Sequence, residues 1–213
     1  MVYSPKLIKK NIIYLDNSII IFNKPYNFLS VQGRGFKGLN CLSLTLKKLF
    51  PEIFIVHRLD MATSGLIIFA RNKDSQIHLC NQFQNREVKK EYIAVVHGHI
   101  RGDDYIILPI IPDINNRPKQ KICYSNGKHS ITRYKSLKFN EKDNSTRVLL
   151  EPYTGRTHQL RIHMKYSGHT IIGDGLYSSQ KNTHRRLMLH SSRIKFQHPV
   201  TNGVLELESA PDF

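Results

Sequence analysis

This 213-residue chain contains a series of short apolar segments bounded by turn-forming residues, and they limit the folds it can adopt. Segments of about four to eight apolar or β-branched residues predict strands, and two of them joined by a short polar stretch predict a hairpin. Residues 12–23 show this most clearly, because two apolar runs meet at Asp16-Asn17, a pair that favours turns. The other predicted strands are residues 66–70, 91–96, 131–139, 146–151, 187–196 and 204–208.

Three segments have the spacing of apolar residues that predicts a helix: residues 41–50, 74–86 and 157–166. Asn40 is a candidate N-cap for the first of these helices. In the second helix, Ile77, Cys80 and Phe83 are expected to face the interior. Gly168 follows the third helix in the place where a glycine commonly ends a helix.

Strands outnumber helices in this pattern, and the two do not alternate regularly. The pattern therefore predicts an α+β fold with a mixed, largely antiparallel sheet and flanking helices. No Pro-rich or Gly/Ser-rich linker and no repeat divides the sequence, so a single domain spanning residues 1–213 is the simplest arrangement.

The charge of the chain indicates the class of its partner. Its 32 Lys and Arg residues outnumber 16 Asp and Glu residues, which gives a formal net charge of +16 and a pI near 9.9. A balance this basic favours a polyanion, and nucleic acid is the usual one. A mutational bias toward Asn, Ile and Lys is the alternative explanation, and charge alone does not choose RNA over DNA.

The sequence also bounds the compartment. It has neither an apolar run of the ~20 residues that a bilayer span needs nor a visible N-terminal export signal. Its cysteines, Cys41, Cys80 and Cys123, are far apart and odd in number, which favours a reducing compartment over a disulfide framework. We therefore expect a cytoplasmic protein that does not act at a membrane.

The 11 histidines make a metal site the first chemistry to test. His158 and His163 are five residues apart, so they do not share a helix face as an i, i+4 ligand pair would. The other histidines lack the spacing of zinc ligands, and Gly33-Arg34-Gly35 lacks the lysine and serine of a phosphate-binding loop. The sequence predicts neither a metal nor a cofactor.

Two polar segments have the residue types of an active site. The first, at residues 56–66, holds an acid, a guanidinium, an imidazole and hydroxyls just before an apolar strand, where loops commonly carry function. The second, at residues 154–163, offers backbone N–H groups and arginines to an anion. The alternatives are a solvated loop with a local ion pair and a charged solvent face. A third run, residues 172–177, is turn-like and indicates little by itself.

Residues 57–66 read HRLDMATSGL, and residues 155–164 read GRTHQLRIHM. The chain also contains NKP at 23–25, LSV at 29–31, KKEY at 89–92, IIGDGLY at 171–177 and RLMLHSSRIKF at 186–196. In this order the motifs resemble those of the pseudouridine synthases of the RluA family. The resemblance implies the pseudouridine synthase fold, a catalytic domain around a bent sheet, and no N-terminal S4 domain, because the first motif begins at residue 23.

The resemblance implies that the chain isomerises uridine to pseudouridine in structured RNA. Asp60 is then the catalytic carboxylate, Tyr92 the tyrosine that stacks on uracil, and Arg161 the arginine that pairs with the aspartate. The reaction breaks the N1–C1′ bond, turns the base over and rejoins it through C5, which needs no cofactor. Attack by Asp60 on C6 or on C1′ and proton abstraction by Asp60 all stay open. Leu187 or Leu189 is a candidate wall of the uracil pocket, with simple core as the alternative.

A uridine within folded RNA reaches a buried carboxylate only after flipping out, and Arg58 is the candidate to fill the vacated stack. The basic segment 117–128 suits contact with an RNA stem, with an ordinary solvated hairpin as the alternative. Segment 108–128 resembles family members that modify both 23S ribosomal RNA and transfer RNA anticodon loops, so both are predicted partners of a monomer. The predicted RNA-binding residues are His57, Arg58, Arg117, Lys119, Lys121, Arg156 and His158.

One residue departs from the family pattern. Asn27 stands where the lysine-proline motif usually has glycine. After glycine, Asn is the residue that best tolerates a positive φ. We therefore expect the backbone at Asn27 to adopt the conformation that a glycine would.

Other classes of protein compete with this interpretation. A non-catalytic RNA-binding or ribosome-assembly protein on the same fold would have no need of Asp60, Tyr92 and Arg161, yet all three are present. A metal-dependent phosphoesterase built on His57 and Asp60 would lose its activity to chelators. Within the family, an enzyme with a different, single ribosomal RNA target is the alternative to dual specificity.

Overall fold

The computed structural model describes residues 9–33, 41–178 and 186–213. The contacts between residues divide the chain into two compact units. The first comprises Met1–Lys89 and Ser191–Asp212, and the second comprises Lys90–His190 together with Phe213.

Each predicted strand and helix is found in the structure, with small differences at its ends. The sequence pattern does not predict β3, β6, β7 or β8, because these strands are short and two of them contain charged residues. In chain order the elements are β1 (Ile12–Leu15), β2 (Ile19–Lys24), α1 (Leu42–Lys47), β3 (Phe54–Ile55), β4 (Ser64–Ala70), α2 (Lys73–Gln84), β5 (Lys89–His97), β6 (Asp103–Ile107), β7 (Ile110–Pro112), β8 (Gln120–Ile122), β9 (Ile131–Asn140), β10 (Ser145–Pro152), α3 (Gln159–Tyr166), β11 (Leu189–Gln197) and β12 (Val204–Glu208).

In the first unit β4 is a central strand. It pairs with β2 and with β3, both antiparallel, and β11 is its neighbour on the other side; β1 pairs with β2 and β12 with β11. Every residue of β4 is buried, as its continuous apolar sequence predicts for a strand covered on both faces. The core around it consists of Ile19, Ile21, Leu66, Ile68, Ala70, Leu79, Val88, Ile194 and Phe196.

The interior face of α2 differs from the predicted one. Ile77 is 51% exposed, so the prediction that it faces inward is wrong, whereas Cys80 and Phe83 are partly buried. A polar residue, Gln82, takes an inward position because its side chain bonds to both the N–H and the C=O of Gln197. A polar side chain on the buried face disturbs the apolar periodicity from which the inward face is predicted.

Helix α1 begins directly after Cys41, which is its N-cap and makes no side-chain capping bond. The predicted cap, Asn40, lies outside the described residues. An isolated parallel bridge joins Leu29 to Cys41, so the pairing is mixed in this region. Within the described parts of the chain, no helix has the length and apolar character that a bilayer span requires.

The second unit contains an antiparallel sheet in the order β5-β10-β9-β6. Strands β9 and β10 form a hairpin, and both lie where the sequence predicts strands. One face of the sheet is buried, and α3 packs on that face against β9 and β10. Strands β7 and β8 form a separate antiparallel hairpin, and β8 contacts α3. The buried residues of this sheet face include Ala94, Val96, Ile106, Thr132, Thr146, Val148 and Leu150.

Helix α3 is bounded by two residues with positive φ. His158, its N-cap, has φ of 54°, so the helix begins two residues later than predicted. At the other end Gly168 has φ of 85°. There the N–H of Gly168 donates to the carbonyl of Lys165, and the N–H of His169 donates to the carbonyl of Met164. This is a Schellman motif, and it confirms Gly168 as the glycine that ends the helix.

Candidate active site

Asp60 lies half-buried in the loop between β3 and β4, and hydrogen bonds hold the loop on both sides of it. Before it, the hydroxyl of Ser30 accepts from the N–H of Leu59 at 3.1 Å and donates to the Leu59 carbonyl at 2.8 Å. After it, the carbonyl of Met61 accepts from the N–H of Phe28 at 3.1 Å. The backbone that carries the carboxylate is therefore fixed in advance, as a catalytic group requires.

Lys24, from the lysine-proline motif, is fully buried and bonds to the same loop. Its ammonium donates to the carbonyls of Pro25 at 2.9 Å, Phe28 at 2.8 Å and Met61 at 3.2 Å. Three acceptors match the three N–H donors of an ammonium, which offsets the hydration that a buried cation loses. Lys24 thereby holds the segment after β2 against the residue that follows Asp60.

Two residues near this loop have positive φ. Asn27 has φ of 54°, which confirms that it adopts the conformation expected of a glycine. Gly65 has φ of 108° and pairs with Lys24 in the β2–β4 ladder. A Cβ atom on Gly65 would lie 2.3 Å from the carbonyl oxygen of Ser191 in β11. The close approach of β11 to β4 therefore requires the glycine of the HRLDMATSGL motif.

The two basic residues before Asp60 differ in environment. His57 is half-buried; its ring stacks on Phe83 with centroids 4.5 Å apart, and its Nε2 accepts from the N–H of Ile68 at 2.9 Å. Because Nε2 accepts, the neutral ring carries its proton on Nδ1. Arg58 is exposed, as a side chain that enters an RNA stack must be. RNA contact by either residue stays a prediction.

Tyr92 lies in β5 on the face of the second unit's sheet that packs against α3. Its cross-strand partner Leu150 is fully buried, and so are Ala94 and Val96, which alternate with it on the same side. Tyr92 itself is half-buried. Lys90, two residues earlier on this side, is also half-buried, and burial lowers the pKa of its ammonium. The tyrosine is therefore anchored in a buried face while part of its surface stays accessible.

Arg161, on α3, forms a bidentate pair with Asp174. Its Nε and Nη2 lie 2.8 and 2.7 Å from the two carboxylate oxygens, and the two side chains are 5% and 0% exposed. One of these oxygens, Oδ1, also accepts from the N–H groups of Leu176 and Tyr177. Asp174 thus orients the guanidinium rigidly. The pairing of Arg161 with Asp60 stays a prediction from the family resemblance.

The predicted RNA-binding residues at the β7–β8 hairpin are open to solvent. Arg117, Lys119 and Lys121 are all exposed there. Arg156, in the loop before α3, is exposed as well. These side chains are placed where phosphate groups can reach them, and their contact with RNA stays a prediction.

Two histidines of the GRTHQLRIHM motif are bonded within the fold. The Nδ1 atom of half-buried His158 lies 2.8 Å from the hydroxyl of Tyr177. His163 is fully buried, and burial lowers its pKa to about 4. Its Nε2 donates to the carbonyl of Leu108 at 3.1 Å, and its Nδ1 accepts from the hydroxyl of Thr132 at 2.9 Å. His163 is therefore a neutral core residue.

The candidate metal ligands, the cysteines and the two candidate pocket leucines complete the residues considered from the sequence. In the portion of the chain that the structure describes, no three His, Cys, Asp or Glu side chains lie together as metal ligands would. Cys41, Cys80 and Cys123 are free thiols. Leu187 and Leu189 are each 2% exposed, a burial that suits both a core residue and a pocket wall.

Comparison with known proteins decides the family. Residues 18–166 match the family described as RNA pseudouridylate synthase. The chain belongs to this family. It is 46% identical over 205 residues to the dual-specificity RNA pseudouridine synthase RluA of Yersinia pestis, covering 95% of this chain and 99% of the relative. It is 41% identical to the protein of the same description in Escherichia coli K12, covering 95% and 93%.

Solved structures agree with the family assignment. Human RNA Pseudouridylate Synthase Domain Containing 1 matches this pseudouridine synthase with a TM-score of 0.81 at 29% identity, covering 95% of this chain and 84% of that one. Human RNA Pseudouridylate Synthase Domain Containing 4 matches with a TM-score of 0.76 at 24% identity, covering 97% and 91%, which supports the fold alone. The predicted fold class and the predicted enzyme class are both confirmed.

Two residues of this pseudouridine synthase have roles that the sequence pattern alone does not predict. Asp174 orients Arg161, and Lys24 holds the loop of Asp60. Both lie inside motifs that carry the family resemblance, IIGDGLY and NKP. An ionisable residue inside an otherwise apolar or turn-like motif is the signal that marks each of them.

Proposed function

We propose that this pseudouridine synthase modifies uridines in both 23S ribosomal RNA and transfer RNA anticodon loops, as a cytoplasmic monomer with one catalytic domain. The observation that carries the proposal is 40–46% identity over 95% of the chain to relatives described as dual-specificity RNA pseudouridine synthases. A match over 95% of the chain spans the basic hairpin as well as the catalytic motifs.

The chemistry is an isomerisation with no net change in atoms. The N1–C1′ bond breaks, the uracil turns over, and a C5–C1′ bond forms. The proton on C5 is then lost, and N1 gains a proton. No electron is transferred and no group is added. The bond changes need an ionised carboxylate, a base to remove the C5 proton and a surface that holds the uracil.

Asp60 is the carboxylate in this proposal. It is half-buried, and its loop is bonded at Leu59 and at Met61. A fixed backbone lets the side chain meet the sugar–base junction without a further loss of conformational freedom. Its detailed role, attack on C6, attack on C1′ or proton abstraction, is a separate question from its identity as the catalyst.

Tyr92 and Arg161 complete the proposed catalytic set. The half-buried ring of Tyr92 stacks on the uracil. Its phenolic oxygen accepts the C5 proton while its own proton passes to solvent, which supplies the proton gained at N1. Arg161 uses two of the five N–H donors of a guanidinium on Asp174. The family resemblance assigns its other donors to the catalytic carboxylate, whose charge a guanidinium stabilises better than a mobile ammonium.

RNA binding in this proposal rests on charge and exposure. The exposed Arg117, Lys119 and Lys121 contact the phosphates of the stem, and the formal charge of +16 draws the RNA in. The target nucleotide flips out, and the exposed Arg58 fills its place in the stack. His57, Arg156 and His158 are proposed as further RNA contacts.

The test is release of tritium from RNA labelled with 5-[³H]uridine, because formation of the C5–C1′ bond expels the C5 hydrogen. Two substrates are compared, a 23S ribosomal RNA stem-loop and a transfer RNA anticodon stem-loop, each with and without EDTA. We expect release from both, unaffected by EDTA. Release from one RNA alone would favour a single-target enzyme. Strand cleavage that EDTA abolishes, without tritium release, would favour the phosphoesterase.

A cellular experiment identifies the modified positions. Pseudouridine is mapped by carbodiimide treatment and reverse transcription in RNA from cells with and without the gene. Dual specificity requires that sites disappear from both ribosomal and transfer RNA. RNA binding without tritium release would instead support the non-catalytic RNA-binding protein.

A further inference from the structure

The hydroxyl of Tyr177 joins the basic hairpin to the start of helix α3. It accepts from the backbone N–H of Gln120, in β8, at 2.8 Å. The same hydroxyl lies 2.8 Å from Nδ1 of His158, the N-cap of α3. Tyr177 is only 5% exposed, so water does not compete for these bonds.

The ring of Tyr177 contacts the guanidinium that the proposed function places in catalysis. The guanidinium carbon of Arg161 lies 5.2 Å from the ring centroid, a cation–π contact. The ring of His158 meets the tyrosine edge-on, with centroids 5.6 Å apart. Asp174 binds Arg161 and also accepts the backbone N–H of Tyr177 at 3.2 Å. The carboxylate of Asp174 thus binds both residues, and the cation–π contact joins Arg161 to Tyr177 directly.

A small apolar cluster encloses this junction. Tyr177 packs with Ile110 of β7, Ile122 of β8 and Ile162 of α3, and Leu176 packs against the cluster. The β7–β8 hairpin therefore packs on α3 through apolar contacts, which do not fix its exact position. The hydrogen bond to the Tyr177 hydroxyl adds a contact of defined direction. A displacement of β8 by bound RNA must be transmitted to Tyr177 or break that bond.

We propose that Tyr177 is a positioning residue that couples the basic hairpin to Arg161. RNA phosphates on Arg117, Lys119 and Lys121 set the position of β8, and the Gln120 N–H fixes the tyrosine hydroxyl. The ring then holds the guanidinium in place. RNA bound to the hairpin thereby holds the Arg161 guanidinium in its catalytic position. Its contacts with the hairpin raise the reaction rate as well as the affinity. This inference rests on the proposed role of Arg161 in catalysis.

The test is a double-mutant cycle of Tyr177→Phe with Lys121→Ala, measured by single-turnover tritium release at saturating RNA and by RNA affinity. Tyr177→Phe keeps the ring and the apolar cluster but removes the hydroxyl. We expect it to lower the single-turnover rate about tenfold, on the order of one lost hydrogen bond. Lys121→Ala should lower both rate and affinity in the wild type, but only affinity in Tyr177→Phe.

Tyr166→Phe is the matched control, because Tyr166 lies on α3 and is 52% exposed. We expect this control to leave rate and affinity unchanged. Amide exchange gives a readout that does not depend on activity. The hairpin peptide containing Gln120 should exchange faster in Tyr177→Phe than in Tyr166→Phe, while both variants melt within a few degrees of the wild type.

Additive effects of Tyr177→Phe and Lys121→Ala on the single-turnover rate, or unchanged exchange at Gln120, would overturn the coupling. Tyr177→Leu provides a second arm, since it fills the apolar cluster without a ring. We expect its rate to fall below that of Tyr177→Phe, and equal rates would contradict the ring's role. A wild-type enzyme that releases no tritium would instead refute the proposed function itself.

Discussion

The guanidinium of Arg161 and the carboxylate of Asp174 form a bidentate pair that is almost completely shielded from solvent. Such a pair must satisfy both charges internally, because neither has water to replace a missing partner. The pair of Arg133 with Asp103 is different, since both of its side chains are about a third exposed and solvent screens their attraction. The orientation of Arg161 is therefore a property of the folded chain.

Asp174→Ala should destabilise the protein severely. It leaves the Arg161 guanidinium buried beside a cavity, and loss of one partner of a buried pair costs about 3–5 kcal/mol. Urea denaturation at neutral pH measures the free energy of unfolding. Asp103→Ala is the control, because it removes an exposed partner and should change stability little. Equal losses in the two variants would contradict the structural role of Asp174.

Arg161→Lys should lose most activity while keeping the charge. An ammonium cannot make two parallel bonds to Asp174, so its position is no longer fixed. Single-turnover tritium release should fall at least about a hundredfold, on the order of 3 kcal/mol of lost transition-state stabilisation. RNA affinity, measured by filter binding, should change only a few-fold. Near-normal turnover in Arg161→Lys would contradict a role for the planar guanidinium.

Asp60→Asn should abolish tritium release and leave RNA affinity within a few-fold of the wild type. The amide has nearly the same size but no negative charge, so the loop keeps its shape while the chemistry is lost. Asp104→Asn, an exposed substitution in β6, is the control and should remain active. Substantial residual release in Asp60→Asn would identify another residue as the catalyst.

Stability should fall as the pH decreases from 6.5 toward 4. Burial lowers the pKa of His163 from its ordinary value of 6.5 to about 4, so below pH 6.5 the unfolded chain takes up a proton that the folded chain excludes. Above pH 6.5 His163 is neutral in both states, so it does not lower the free energy of unfolding. At pH 5 the free energy of unfolding is lower by roughly 2 kcal/mol. Urea denaturation at pH 7.5 and pH 5 measures this loss.

His163→Gln should flatten that pH dependence, even though it lowers stability at pH 7.5. His129→Gln removes an exposed imidazole and should leave the slope unchanged. A slope that survives in His163→Gln would assign the pH dependence to other histidines.

RNA affinity should fall steeply as salt is raised, because each phosphate that the protein neutralises releases counterions. Arg117→Ala should reduce the slope of log affinity against log salt by about 1. Lys142→Ala, in the exposed β9–β10 turn, should leave the slope unchanged. A flat salt response in the wild type would argue against binding dominated by the RNA backbone.

Features that depend on local chemistry could be predicted from the sequence. The β1–β2 hairpin turns at Asp16 because its Oδ1 accepts from the N–H groups of Ser18 and Ile19 at 2.7 and 2.8 Å, all within four residues. The positive φ of Asn27 and of Gly168 follows from residue type in the same way. These features need no information about distant parts of the chain.

Features that depend on a tertiary partner could not be predicted. Nothing around Ile77 shows that Gln82 takes an inward position, because its partner, Gln197, is 115 residues away. Similarly, the role of Asp174 depends on Arg161, which the fold brings to it from an adjacent helix. The identity of these residues was visible in the motifs, but their contacts were set by packing.

Lys24 is completely buried, so it should react differently with a chemical label from the exposed lysines of the basic hairpin. An amine-reactive reagent will acylate exposed lysines such as Lys119 and Lys121, and bound RNA should protect them. Lys24 has no accessible surface, so the folded enzyme should show no labelling there with or without RNA. Acylation of Lys24 in a labelled sample would therefore reveal unfolded molecules. This lysine can serve as an internal control when the RNA contact surface is footprinted.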